Sequence, residues 1–131
     1  MDDMLGTFLE EAKEFMSSIE DCLLTMESGG VDSELINQVF RAVHTVKGGS
    51  GFLGLAKIGK LAHVLEDVLS KIRTGDLTPD SQIINKLLKG VDKLNEMLDS
   101  DDQGKNFDIE SMLSDLHQIL SGNQKAESTP E

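Results

Sequence analysis

The sequence has no tryptophan, no tyrosine, one cysteine and two prolines in its 131 residues, and only 12 basic side chains against 24 acidic ones. Each shortage excludes something. Few aromatics and few prolines argue against a β-sandwich or barrel, which needs turn signals at short, regular spacing. The single cysteine, Cys22, rules out an internal disulfide and fits a reducing cytosol. Asp2 and Asp3 stand where a secretory leader would carry basic residues, and no apolar run approaches membrane-spanning length. A cytoplasmic chain without membrane contact is therefore expected. The formal net charge of −12 makes nucleic acid an unsuitable partner, because phosphate backbones are held by clustered Lys and Arg.

What remains is rich in apolar residues at helical spacing. Leu5, Phe8, Leu9, Ala12, Phe15, Met16, Ile19, Cys22, Leu23 and Met26 form one continuous stripe, which Gly29-Gly30 ends. Asp32 or Ser33 caps a second helix whose buried face is Leu35, Ile36, Val39, Phe40, Val43 and Val46. Ile58, Leu61, Ala62, Leu65, Val68, Leu69 and Ile72 mark a third helix, which stops at Gly75. Thr78-Pro79 reads as a cap and first-turn proline for a fourth, carrying Ile83, Ile84, Leu87, Leu88, Val91, Leu94 and Leu98. After a polar linker from Asp99 to Lys105, a fifth helix places Ile109, Met112, Leu113, Leu116, Ile119 and Leu120 on one side. The pattern predicts an all-α domain over residues 1–121. Its architecture is an antiparallel up-and-down four-helix bundle with an additional C-terminal helix packed outside it. Residues 122–131 read as a disordered polar tail or the start of an interdomain linker.

One stretch resists a purely structural account. HTVKGGSGFLG, beginning at His44, puts Gly48, Gly49 and Gly51 in a helix, each costing about 1 kcal/mol relative to alanine. Gly48 is i+4 from His44 and shares its face, so it leaves the imidazole uncovered for a bulky partner. KGGSG is not a nucleotide-binding P-loop, because there the lysine follows the glycines at the start of a helix after a strand. The turn between the second and third helices falls near Gly54-Leu55. His44 precedes it by about ten residues and Glu66 follows it by about eleven, so both sit roughly 15–17 Å from the turn. They are level. Lys47 is i+3 from His44, and His63 is i,i+3 from Glu66.

Each of these groups has a chemical use. A neutral imidazole nitrogen is a good nucleophile, and the partner of one ring nitrogen decides which lone pair is free. Glu66 accepting the Nδ1–H of His44 would leave Nε2 available and offset the positive charge that develops on attack. Lys47 would neutralise an arriving anion, and His63 would tune Glu66. Arg41 adds positive potential near the site, and Gly51 with Gly48 keeps the approach open. A phosphoryl group is the best-fitting electrophile, since its transfer asks the protein mainly for alignment and charge compensation.

The run FRAVHTVKGGSGFLG, followed by LAHVLEDVLSKIRTGDL, resembles histidine-containing phosphotransfer (HPt) domains, and more narrowly the N-terminal phosphoacceptor domain of bacterial chemotaxis histidine kinases. The resemblance spans about Leu5 to Leu98 and is most specific from Phe40 to Leu77. It implies a two-component phosphorelay in which His44 accepts a phosphoryl group from an ATP-binding histidine kinase domain and passes it to an aspartate of a response regulator receiver domain. On that reading Glu66, Lys47 and His63 form the supporting network. The domain binds no cofactor of its own, and ATP and magnesium belong to partner domains. The chain, a monomer in isolation, is then the front piece of a longer kinase, catalytically incomplete alone; a stand-alone relay protein is the alternative. A different class of function is a metal-binding bundle using His44, His63 and Glu66. Against it, di-iron bundles use paired E-x-x-H motifs, whereas Lys47 would repel a cation here.

Overall fold

A computed structural model describes residues 2–122. Helices occupy Asp2–Met16 (α1), Ile19–Gly29 (α2), Ser33–Leu53 (α3), Ala56–Arg73 (α4), Ser81–Asp99 (α5) and Glu110–Ser121 (α6), with no strand among the described residues. α1 and α2 run end to end, and both pack against α3 and α5. They form one arm of a bundle whose other arms are α3, α4 and α5, each touching the next in a closed ring. α6 lies in the groove between α4 and α5. This is the expected four-armed bundle with an added C-terminal helix. The expected tail falls, from residue 123 onward, outside the described residues.

Two boundaries differ from the sequence reading. The first apolar stripe predicts one helix, but the chain breaks at Ser17-Ser18. The Ser17 N–H and hydroxyl both bond to the Glu14 carbonyl, at 3.2 and 2.8 Å. Ser18 sits at φ −102°, ψ 2°, off the helical path. Serines offer the backbone local partners that compete with the helical ladder. The apolar period continues across the break, so the pattern alone conceals it. The start of α5 also moves: Asp80, not Thr78, caps it by accepting from the Ile83 N–H at 2.9 Å. Asp is the better cap, and Pro79 lies just before the helix instead of in its first turn.

The stripes meet in one core. Ile19, Leu23, Val39, Val43, Leu61, Leu65, Ile83 and Leu94 are all essentially inaccessible. Each such side chain contributes about 1.5–3 kcal/mol by leaving water. Leu116 from α6 reaches this core at Gly90, where an added Cβ would lie 2.8 Å from Leu65 and 3.7 Å from Leu116. Lys57 and Lys71 of α4 donate to the carbonyls of Phe107 and Leu120 at 2.7 and 3.4 Å, tying the C-terminal segment down. α6 thus covers the α4–α5 side, away from the α3–α4 groove that carries His44. No helix among the described residues is long and apolar enough to cross a membrane.

Candidate functional site

The α3–α4 hairpin builds the site. α3 runs unbroken through its glycines and ends at Gly54, which adopts φ +76° and returns its N–H toward the last carbonyls of the helix. That left-handed conformation suits glycine and no branched residue. The Leu55 N–H bonds to the Ser50 carbonyl at 2.8 Å, and α4 starts at Ala56. Ser50 is fully buried and faces Gly59 of α4, where an added Cβ would be 3.5 Å from that of Ser50. Small residues on both sides let the helices run close together from the turn.

That close, antiparallel run places His44 opposite Glu66. His44 Nδ1 lies 2.5 Å from Glu66 Oε2, and Lys47 Nζ lies 2.5 Å from Glu66 Oε1. Each carboxylate oxygen therefore has its own cationic or N–H partner. The Glu66 side chain is only 10% exposed, whereas that of His44 is 60% exposed. The two ring nitrogens lie on different edges of an imidazole. With Nδ1–H donating to a buried carboxylate, the Nε2 edge is the one left toward solvent. Burial pushes the Glu66 carboxyl up, but hydrogen bonds from Lys47 and His44, together with their charges, outweigh it and hold the carboxyl below its ordinary range.

A pH dependence follows from that direction. A carboxyl whose folded value is depressed contributes stability that is present above its unfolded value, about 4.3 for Glu. The contribution is lost as pH falls through the lower folded value. Wild type is expected to exceed Glu66→Gln in chemical stability at neutral pH, with the gap closing as pH drops below about 4. Urea melts of both proteins across the acid range check it. A gap independent of pH would mean that the carboxylate charge is not what Glu66 contributes.

The remaining expected residues divide. His63 does not join the cluster: its Nε2 is 3.8 Å from Asp67 Oδ2 on its own helix, and no hydrogen bond links it to Glu66. Asp67 at i+4 competes with Glu66 at i+3, and the exposed imidazole turns to the solvated carboxylate. The metal reading loses its geometry at the same point. Among the described residues no three His, Cys, Asp or Glu side chains are grouped to hold a metal ion. Arg41 is exposed and lines a groove of about 730 Å³ between α1 and α3, with Phe15, Gln38 and Thr45, whose lining does not include His44. Phe40, which the apolar stripe places on the buried face of its helix, is instead only half-buried and stacks on the His44 ring, and Arg73 of α4 lies over Phe40. The i,i+4 spacing of Phe40 and His44 was the signal for the stack.

The glycines are not equivalent. Added Cβ atoms at Gly48 and Gly51 would meet nothing within 4 Å, but one at Gly49 would run into the Phe8 ring of α1. Gly49 serves packing, while Gly48 leaves open space next to the imidazole. Gly48→Ala is therefore expected to stabilise the isolated domain by about 1 kcal/mol through helix propensity. Gly49→Ala is expected to gain nothing, because Phe8 must swing off α3. Urea midpoints of the two variants test this; equal stabilisation would contradict the Phe8 contact.

A phosphoacceptor scaffold is what this geometry defines: one oriented, solvent-facing imidazole, a buried counter-charge and an uncovered approach. Residues 3–119 match the family model described as Hpt domain, and the chain belongs to that family. It is 33% identical over 121 residues to the chemotaxis protein CheA of Borreliella burgdorferi, an alignment covering 91% of this chain and 14% of that protein. The chain thus spans only a small part of its relatives' length, 14% of that protein and 21% of the chemotaxis protein CheA of Listeria monocytogenes. Its fold is similar to the phosphorylated P1 domain of CheA3 from R. sphaeroides, solved in complex with CheY6. That match has a TM-score of 0.83 and 26% identity, covering 93% of this chain and 98% of that one. The solution structure of the histidine phosphotransfer domain of CheA gives a TM-score of 0.75 and 37% identity, covering 91% and 92% of the two chains.

Proposed function

We propose that this chain is the phosphoacceptor domain of a chemotaxis-type histidine kinase and that His44 carries the phosphoryl group. The observation that carries the proposal is the exposed His44 ring held through Nδ1 by buried Glu66. In the first step the Nε2 lone pair attacks the γ-phosphorus of ATP held with magnesium on a kinase domain. The N–P bond forms as the P–O bond to ADP breaks, and ADP leaves with that electron pair. The Nδ1 proton stays between His44 and Glu66, whose carboxylate offsets the positive charge growing on the ring. Lys47, already paired to Glu66, lies on the same face and moderates the negative charge of the arriving phosphoryl oxygens. In the second step an aspartate oxygen of a receiver domain attacks phosphorus, the N–P bond breaks, and Nε2 recovers its lone pair.

The chain itself supplies the nucleophile and its orientation, and the partners supply nucleotide, metal and final acceptor. That a related P1 domain was solved phosphorylated and bound to CheY6 supports a receiver as the second partner. The small share of these CheA relatives that the chain covers supports a place within a longer kinase over a free-standing relay protein. As an isolated piece the domain is a monomer in this reading. Incubation with Mg-ATP and the kinase fragment of a CheA relative, followed by transfer to a purified receiver domain, tests the proposal. Acid-labile label should appear on this chain and then move to the receiver. Label that never forms, or forms and cannot move, would contradict it.

A further inference from the structure

One hydrogen bond does not fix a ring. The Nδ1–H to Glu66 contact anchors one edge of the His44 imidazole, but compensating changes in χ1 and χ2 still tilt the ring plane and with it the direction of Nε2. A second contact restricts it. The Phe40 ring, one turn earlier on α3, lies 5.9 Å centre to centre from the imidazole, with the two planes only 9° apart. That separation falls within the range of attractive offset stacks. Phe40 is itself only half-buried and would be a loose support on a helix surface. It is held from α4: the guanidinium carbon of Arg73 lies 3.9 Å from the centre of the Phe40 ring. Side chains on a helix lean toward its N-terminus, so Arg73, the last residue of α4, reaches back toward the level of Glu66 and meets Phe40 on the way.

We propose that Phe40, held by Arg73, is a positioning residue that fixes the plane of the His44 ring and so the direction of the Nε2 lone pair. α4 then controls the imidazole twice: through Glu66 at the Nδ1 edge, and through Arg73 and Phe40 at the ring face. The inference rests on His44 being the phosphoacceptor. In-line attack needs the lone pair aligned with phosphorus, so a ring held in one plane reacts faster than one that rotates.

The test uses the full 131-residue chain and phosphoramidate, a small phosphoryl donor that removes partner docking from the measurement. Phe40→Leu keeps an apolar side chain but loses the flat face. It is expected to slow uptake about two- to tenfold, the equivalent of one lost aromatic pair. The same variant should move the His44 ring-proton resonances toward free-histidine values. Phe40→Tyr should restore both rate and resonances, and Arg73→Gln should give a smaller change of the same sign with helix content intact. Unchanged uptake in Phe40→Leu, or slowed uptake that Tyr does not rescue, overturns the positioning role. His44→Gln run in parallel separates the two ideas. Uptake that persists there removes the phosphoacceptor reading itself, whereas uptake lost there but untouched in Phe40→Leu removes only the role of Phe40.

Discussion

His44→Gln is expected to abolish phosphate uptake from a kinase domain and Mg-ATP while leaving the helical circular dichroism spectrum and cooperative melting intact. Glutamine has no nucleophilic nitrogen, because its amide lone pair is delocalised into the carbonyl. Its NH₂ group can still donate toward Glu66, so the buried carboxylate need not lose its partner. The replaced side chain is mostly in water and contributes nothing to the core. The structural cost should therefore stay within about 1 kcal/mol, the net worth of one hydrogen bond. Radiolabel or phosphate-affinity gels run at neutral pH give the readout. Label persisting in the variant would move the carrier to another residue; loss of folding would show that the imidazole is structural after all.

The second large effect concerns Glu66→Gln, which is expected to slow phosphorylation about 10- to 100-fold without eliminating it. The carboxylate accepts from His44 on one oxygen and from Lys47 on the other. A carboxamide offers one acceptor oxygen and turns an NH₂ donor toward the other partner, so one of the two contacts fails. The surviving nucleophile keeps its lone pair but loses the negative charge that offsets its developing positive one. Losing a charge-assisted hydrogen bond of about 1.5–3 kcal/mol corresponds to that range of rates. Initial rates at saturating ATP give the comparison with wild type. An unchanged rate would take Glu66 out of the mechanism and leave it as a buried acid neutralised by Lys47.

The centre of this site was legible because helix geometry is regular. A constant rise per residue on either side of a tight turn makes His44 and Glu66 level before any coordinates exist, and the turn at Gly54 and Leu55 lies where the pattern puts it. Lys47 follows from spacing along one helix. What spacing could not decide was the choice between near-equal neighbours. His63 has Glu66 three residues on and Asp67 four residues on, and only its rotamer selects Asp67. The apolar stripe puts Phe40 on the buried face, but a residue at the edge of such a stripe is also free to lie along the helix against its i+4 neighbour, and here it does. The break at Ser17-Ser18 was invisible for the opposite reason. Met16 and Ile19 on either side are both buried, so the hydrophobic period runs through it undisturbed. The glycine run announced that something unusual was needed, but separating open space at Gly48 from packing under Phe8 at Gly49 required the neighbouring helix.

The most direct measurement is the linkage isomer of the phosphorylated chain, read by mass spectrometry and ³¹P–¹⁵N NMR at neutral pH after kinase treatment. A ring anchored through Nδ1 should carry phosphorus on Nε2 of His44 and on no other residue. Phosphorus on Nδ1, or on either of the chain's other two histidines, His63 of α4 and His117 of α6, would contradict it.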